Sequence, residues 1–385
     1  MHATYTCERY NLKTQAFTAL RQIIISLLCA SNMATSTHKR KCSLTESVTG
    51  LFSRKQKEKK AKTYLPPLLA DLPSEFLPLQ NDGVQVLQNV LSPEACKDLI
   101  SQCWRWLADM NTGILQGSPE TWRSPAWPAN LHGIMQHSRT GHAQWVWDVR
   151  QNPAVVDIFS RLWSCDPTDL IVSFDAVCIM RPPEFTGGRF RSSDDCAKWI
   201  HTDQASNKMG RWCIQGLITL DDMDSDDGTL AVYKQGHTLH EEVFKHFGVY
   251  TRSDWYKFSD EELAWLKSHP GVHEHHVQAP AGSLVLWDSR VPHCNIVPAK
   301  SRAAKGRFRY VVYVCMMPRK FADKRALKTR QKAMKDLRLT NHWPIFPKLF
   351  PKMPRTYGQT LPDYSVAVSA APNLTPLGRS LAGLD

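Results

Sequence analysis

Two hydrophobic periodicities divide the chain. Before residue 164 apolar positions recur mainly at helical spacing, and from Leu170 they switch to short strand-like runs. Order is expected to begin near residue 82, where Asp82 to Leu87 alternates like an entry strand. A helix then starts at Leu91-Ser92-Pro93-Glu94, with Ser92 as cap, Pro93 at the first helical position and Glu94 in the first turn. Leu99, Ile100, Cys103, Trp104 and Leu107 give it one apolar face, and a second helix is predicted over Pro153 to Trp163. Strands are predicted over Leu170–Met180, Lys198–Gln204, Cys213–Leu220, Thr229–Val232, Gly282–Trp287 and Arg309–Met316. A basic helix at about Arg319–Leu339 follows, with Phe321, Leu327, Met334 and Leu337 as a partial apolar stripe. The order is helices, an all-β core and a helical tail, so the fold class is mainly β with flanking helices, the core a sandwich or barrel. No internal repeat is present.

Composition narrows the class. The 385 residues are 42% apolar and 22% charged, near the globular average. The longest apolar run, Ile23 to Ala30, is far short of the roughly 20 residues of a membrane span. The 11 cysteines contain no CxxC pair, which predicts a reduced intracellular protein, cytoplasmic or nuclear. The net charge of +12 sits at the ends: residues 1–63 carry 12 Lys/Arg against 3 Asp/Glu and residues 319–385 carry 13 against 4, while 64–318 carry 23 against 29. Three regions follow. Residues 1–63 are a basic arm or targeting segment, 64–318 the β domain, and 319–385 a basic helical and Pro-rich extension packed on it. Residues 1–32 read either as a mitochondrial-type presequence or as sequence upstream of a start at Met33. The basic ends leave nucleic acid open as a partner, although the acidic centre speaks against a nucleic-acid cleft.

Chemistry concentrates in three places. His201 and Asp203, in WIHTDQ, sit at i and i+2 of a predicted strand and so face one pocket. His293, after a tight break at Val291-Pro292, offers a distant second histidine. Two histidines and a carboxylate on one metal face are the donor set of non-haem Fe(II) oxygenases; a capped surface histidine is the alternative for His293. Arg309 opens the apolar strand RFRYVVYV, where a buried guanidinium wants a carboxylate partner; Arg302 and Arg307 compete for that role.

These blocks, in order, resemble the phytanoyl-CoA dioxygenase family of Fe(II)/2-oxoglutarate oxygenases from about Asp82 to Met317. The matching stretches are DGVQVLQNVLSPEACKDLI, GLITLDDMDSDDGTLAVYKQGH, AGSLVLWDSRVPHCNIVP and FRYVVYV. The resemblance implies a double-stranded β-helix of jelly-roll type, with His201, Asp203 and His293 as iron ligands and Arg309 as the 2-oxoglutarate clamp. It implies Fe(II), 2-oxoglutarate and O2 as cofactor and co-substrates, and hydroxylation of a small organic molecule with release of succinate and CO2. An oxygenase acting on a nucleic acid or another macromolecule, and an inert binding module on the same fold, are the alternatives. The terminal Ala-Gly-Leu-Asp is no SKL-type address. Pro182 to Cys196, Gly-rich and polar, reads as a substrate loop or a surface insertion. The histidines at 269, 273, 275 and 276 read as a polar surface loop, and His240-Glu241-Glu242 as a solvated helix start.

Overall fold

The strand-forming stretches build two antiparallel sheets because most of them alternate apolar side chains between two buried faces. The computed structural model describes residues 71–385 apart from 193, 194, 196, 197 and 352–369, so the basic arm and presequence readings lie outside the described residues. In chain order the described strands begin with β1 (Val84–Leu87), β2 (Ile134–Met135), β3 (Leu170–Val172), β4 (Val177–Met180), β5 (His201–Thr202), β6 (Ile214–Thr219) and β7 (Thr229–Lys234). They continue with β8 (Tyr256–Lys257), β9 (His273–His276), β10 (Leu284–Asp288), β11 (His293–Ile296), β12 (Arg309–Val314) and β13 (Met316–Pro318). One sheet runs β1-β10-β6-β12-β4-β2, the second β8-β5-β11-β7-β9, and β13 pairs with β3.

Side-chain alternation sorts the layers. On β12, Tyr310, Val312 and Val314 join a core with the helices, whereas Val311 packs between the sheets with Leu217, Val285, Leu230 and Val232. Arg309 and Tyr313 share the parity of Val311. On β11, Cys294 and Ile296 pack outward with Phe244, Phe258 and Leu263, which leaves His293 and Asn295 pointing between the sheets. The result is a jelly roll with helices on both outer faces, the mainly β architecture with a double-stranded β-helix core.

The helix Pro93–Ala108 is capped by Ser92, whose Oγ accepts from Ala95 N at 3.2 Å, and it buries Leu99, Cys103, Trp104 and Leu107. Trp104 Nε1 donates to Tyr310 OH at 2.8 Å, tying this helix to β12. The second predicted helix is present over Pro153–Trp163. Asp260–Lys267 and His240–His246 cover the five-stranded sheet, the former started by a Ser259–Glu262 capping box.

Five expectations are corrected. Order starts before Asp82, with a helix over Leu77–Asp82. It ends on Gly83 at φ +79°, where a Cβ would meet His237 Nδ1 at 2.6 Å, so only glycine fits. The single run Leu170–Met180 is two strands broken at Ser173–Ala176. Arg150 holds the break by donating to the carbonyls of Gly141 (2.6 Å) and Asp175 (2.8 Å). His273–His276 is the edge strand β9, because an edge needs only backbone pairing with β7 and tolerates polar side chains. His240 is buried, its Nε2 donating to Gln204 O at 2.9 Å. The tail helix is shorter than predicted, Lys324–Lys335, and buries Ala326, Arg330 and Ala333 most deeply, while Phe321 and Met334 of the predicted stripe pack partly buried against the core. Arg330 donates to Leu381 O (2.8 Å) and lies 4.7 Å over the Phe174 ring, a burial that hydropathy patterning does not reveal.

Burial sets an acid limit on this fold. His142 is fully enclosed; its Nε2 donates to Arg338 O at 2.9 Å and its Nδ1 has no partner, so a second proton would place an unsatisfied N–H in the core. Burial pushes its pKa from 6.5 down to about 4. The unfolded chain therefore takes up this proton first, and the stability present above pH 6.5 is lost toward pH 4 at about 1.4 kcal/mol per unit. Urea midpoints should fall over this window, and His142→Gln should make the fall shallower; an unchanged slope would contradict the assignment.

Candidate active site

Strand pairing brings the distant residues together. β5 and β11 are antiparallel neighbours with His201 directly opposite His293, and their ring centroids are 4.4 Å apart. Asp203 follows β5 on the same side. Its Oδ2 lies 3.9 Å from His201 Nε2 and 3.3 Å from His293 Nε2, and the three donor atoms fall within 4.8 Å of one another, all on buried residues. Each histidine is oriented from behind: His201 Nδ1 contacts Trp199 O at 3.0 Å and His293 Nδ1 contacts Val291 O at 2.9 Å. A carbonyl only accepts, so each Nδ1 carries the hydrogen and Nε2 is the ring nitrogen each histidine turns toward Asp203.

Asp203 is held in turn. Gln215 Nε2 donates to its Oδ2 at 3.0 Å, and its backbone N donates to Ser289 O at 2.9 Å. Burial pushes His201 down to about 4, with His293 adding to the shift, so the ring is neutral at pH 7. Burial alone would raise the Asp203 carboxyl, but His342, His201 and His293 outweigh it and hold the group ionised. Two imidazoles and one carboxylate, buried and convergent, are a set that could hold a divalent first-row metal with positions left open.

The three competing arginines separate by their partners. Arg302 is engaged bidentately by Glu184 (2.9 and 2.8 Å) and also bonds Asp227 at 3.2 Å. Arg307 bonds Asp224 and Asp227, both at 2.7 Å. Arg309 is buried on β12 and donates from Nη1 to Asn295 Oδ1 (2.9 Å) and Cys178 Sγ (3.6 Å). Among the described residues its Nε and Nη2 have no partner. A buried guanidinium with two free donors is shaped for a carboxylate from outside the chain.

A cavity of about 700 Å³ opens onto the triad. Asn295, Tyr313, Gln215 and Trp287 line its inner part, and Asn295 Nδ2 donates to Tyr313 OH at 2.9 Å. Trp199 stacks between His132 (3.9 Å) and His201 (5.2 Å), and Trp255 stands at the mouth, 53% exposed and 5.8 Å from the His201 ring. The cavity is also lined by Asp175, from the break between β3 and β4, and by His342 and Trp343, from beyond the last strand. No described residue of Pro182–Cys196 lines this cavity; Glu184 there serves Arg302 instead. Asn295 and Tyr313 were missed in the sequence, although period two from His293 and Arg309 marks both as inward-facing.

The triad predicts one divalent metal per chain. Titration calorimetry with Fe(II) under anaerobic conditions should show a single site, abolished by Asp203→Ala. Gln215→Leu, which removes the support of the carboxylate, should weaken it about 10- to 100-fold. Full affinity in Asp203→Ala would contradict this reading.

Comparison with known proteins agrees with the geometry. A protein named Ava biosynthesis cluster protein O, from Aspergillus versicolor, is 26% identical over 272 residues, covering 68% of this chain and 83% of that protein. Among solved structures, GlcNAc Inducible Gene 2 of Candida albicans is similar at 14% identity and a TM-score of 0.48, covering 81% of this chain and 76% of that one. EctD from S. alaskensis, solved with 2-oxoglutarate and 5-hydroxyectoine, is similar at 15% identity and a TM-score of 0.40, covering 66% and 78%. Residues 79–294, more than half of the sequence, match the family described as phytanoyl-CoA dioxygenase (PhyH). The chain belongs to the phytanoyl-CoA dioxygenase family, whose cofactor and co-substrates are Fe(II), 2-oxoglutarate and O2.

Proposed function

We propose that this protein is an Fe(II)/2-oxoglutarate-dependent dioxygenase that hydroxylates an unactivated C–H bond of a small organic molecule. The observation that carries the reading is the buried triad His201, Asp203 and His293 in the same inter-sheet space as an arginine with two unpartnered donors. In this reading the triad holds Fe(II) and Arg309 grips the far carboxylate of 2-oxoglutarate. When bound, the metal and co-substrate supply the oxidising power: one atom of O2 ends in succinate as CO2 leaves, and the other enters the C–H bond.

The chain's own residues do the positioning. The backbone acceptors at Trp199 and Val291 keep both Nε2 lone pairs available. Gln215 fixes the Asp203 carboxylate, and Asn295 fixes Arg309 so that Nε and Nη2 stay free. Trp287, Leu230 and Tyr313 enclose the inner cavity, excluding water and strengthening the Arg309–carboxylate contact. A small-molecule substrate is supported by the cavity size, within the range of ligand pockets, and by the biosynthesis-cluster name of the Aspergillus versicolor relative.

Arg309→Met tests the clamp. It should raise the 2-oxoglutarate concentration needed for succinate release about 100-fold while Fe(II) affinity stays at the wild-type value, as expected for losing one partner of a buried charge pair. An unchanged requirement for 2-oxoglutarate would exclude Arg309 from this role.

A further inference from the structure

Two polar groups lining the cavity, Asp175 and His342, are not among the residues assigned above to hold the metal or the co-substrate. Asp175 is half-buried, its Oδ1 accepts from Ala176 N at 2.7 Å, and no described residue donates to its Oδ2. Burial raises the Asp175 carboxyl, with His342 acting against the shift. His342 Nε2 is buried and, among the described residues, also without a partner. Both line the cavity of the triad, and both lie near enough to Asp203 or to each other to interact electrostatically. A buried imidazole nitrogen left unpaired costs on the order of 1–3 kcal/mol, so His342 Nε2, lining the same cavity as the Asp175 carboxylate, points to a ligand that satisfies it. A carboxylate oxygen accepts only, so the ligand must donate.

The rest of the cavity describes the ligand's body. Trp255, Trp343 and Phe350 give aromatic surface, and the 53% exposure of Trp255 beside His201 leaves indole surface open to a ring. His342, Trp343 and Phe350 come from the chain beyond residue 294, outside the span shared with the family. This segment supplies lining where the choice of substrate can be set from outside the metal ligands themselves.

We infer that Asp175 and His342 are substrate-positioning residues, and that the substrate is a planar aryl compound whose ring O–H or N–H they bind while its ring rests against Trp255. This rests on the oxygenase reading above. The pair fixes which carbon of the ring system, or of a substituent on it, faces the metal.

The test uses the full chain loaded anaerobically with Fe(II) and 2-oxoglutarate, and two probes that share one ring system. 2-Naphthol offers the O–H, and 2-methoxynaphthalene does not. Wild type should bind 2-naphthol about 10-fold or more tightly than its methyl ether, read by titration calorimetry. Asp175→Asn and His342→Ala should each bring that ratio close to 1. Trp255→Ala should weaken both probes alike and leave the ratio intact. The visible charge-transfer band of the Fe(II)·2-oxoglutarate complex, recorded on each sample, separates the two readings. A band in every sample with equal affinities in wild type, with no binding of either probe at millimolar concentration, or with a preference that survives both substitutions, would overturn this inference alone. No band in wild type would overturn the oxygenase reading, and this inference with it.

Discussion

The antiparallel pairing of β5 with β11 is the constraint on which the chemistry of this protein depends. It sets His201 and His293, 92 positions apart in the sequence, opposite each other on neighbouring strands with both rings inward. Period two makes the arrangement all-or-none. A slip of one residue would turn His293 and Asn295 into the outer layer with Phe244 and bring Cys294 inward. β5 is only two residues long, so its register is secured from outside the ladder. Thr202 Oγ1 and Asp203 N both donate to Ser289 O, and Phe258 N donates to Ile200 O.

Around this pair the interior is sorted by charge. Acidic partners reached through the loops engage Arg302 and Arg307, while Arg211 and Arg290 are taken by the buried Asp288. Arg309 is different: it is fixed by a neutral amide and a thiol, and two of its nitrogens face no protein acceptor. Leaving a buried guanidinium short of a counter-charge destabilises the free protein, and a bound carboxylate removes that deficit. The same logic of a polar group fixed on one side and open on the other recurs at His201, His293 and Asp175.

Much of this was legible in the sequence because it is local. Ser92-Pro93 and Asn152-Pro153 start their helices where the cap residues predict, and the HxD spacing marks one strand face before any partner is known. Choosing among three arginines was not legible, since the carboxylates that neutralise Arg302 and Arg307 lie 75 to 118 residues away in sequence. The break at Ser173–Ala176 was hidden for the same reason: it is held by Arg150 and by Thr340, both remote. Without that break Asp175 reads as part of a continuous strand and its place on the cavity wall is invisible. His342 reads as one histidine in a proline-rich tail until the tail folds back onto the cavity. The edge strand His273–His276 shows the converse limit, a strand made by backbone pairing with no apolar pattern to announce it.

The measurement that bears most directly on the central claim is an anaerobic titration of the metal-free protein with Fe(II) and then 2-oxoglutarate, followed by visible absorption. Wild type should develop the metal-to-ligand charge-transfer band of an Fe(II)·2-oxoglutarate chelate at one equivalent of iron, and His201→Ala should not. A folded wild-type protein that binds no iron, or an undiminished band in His201→Ala, would contradict the assignment of the triad.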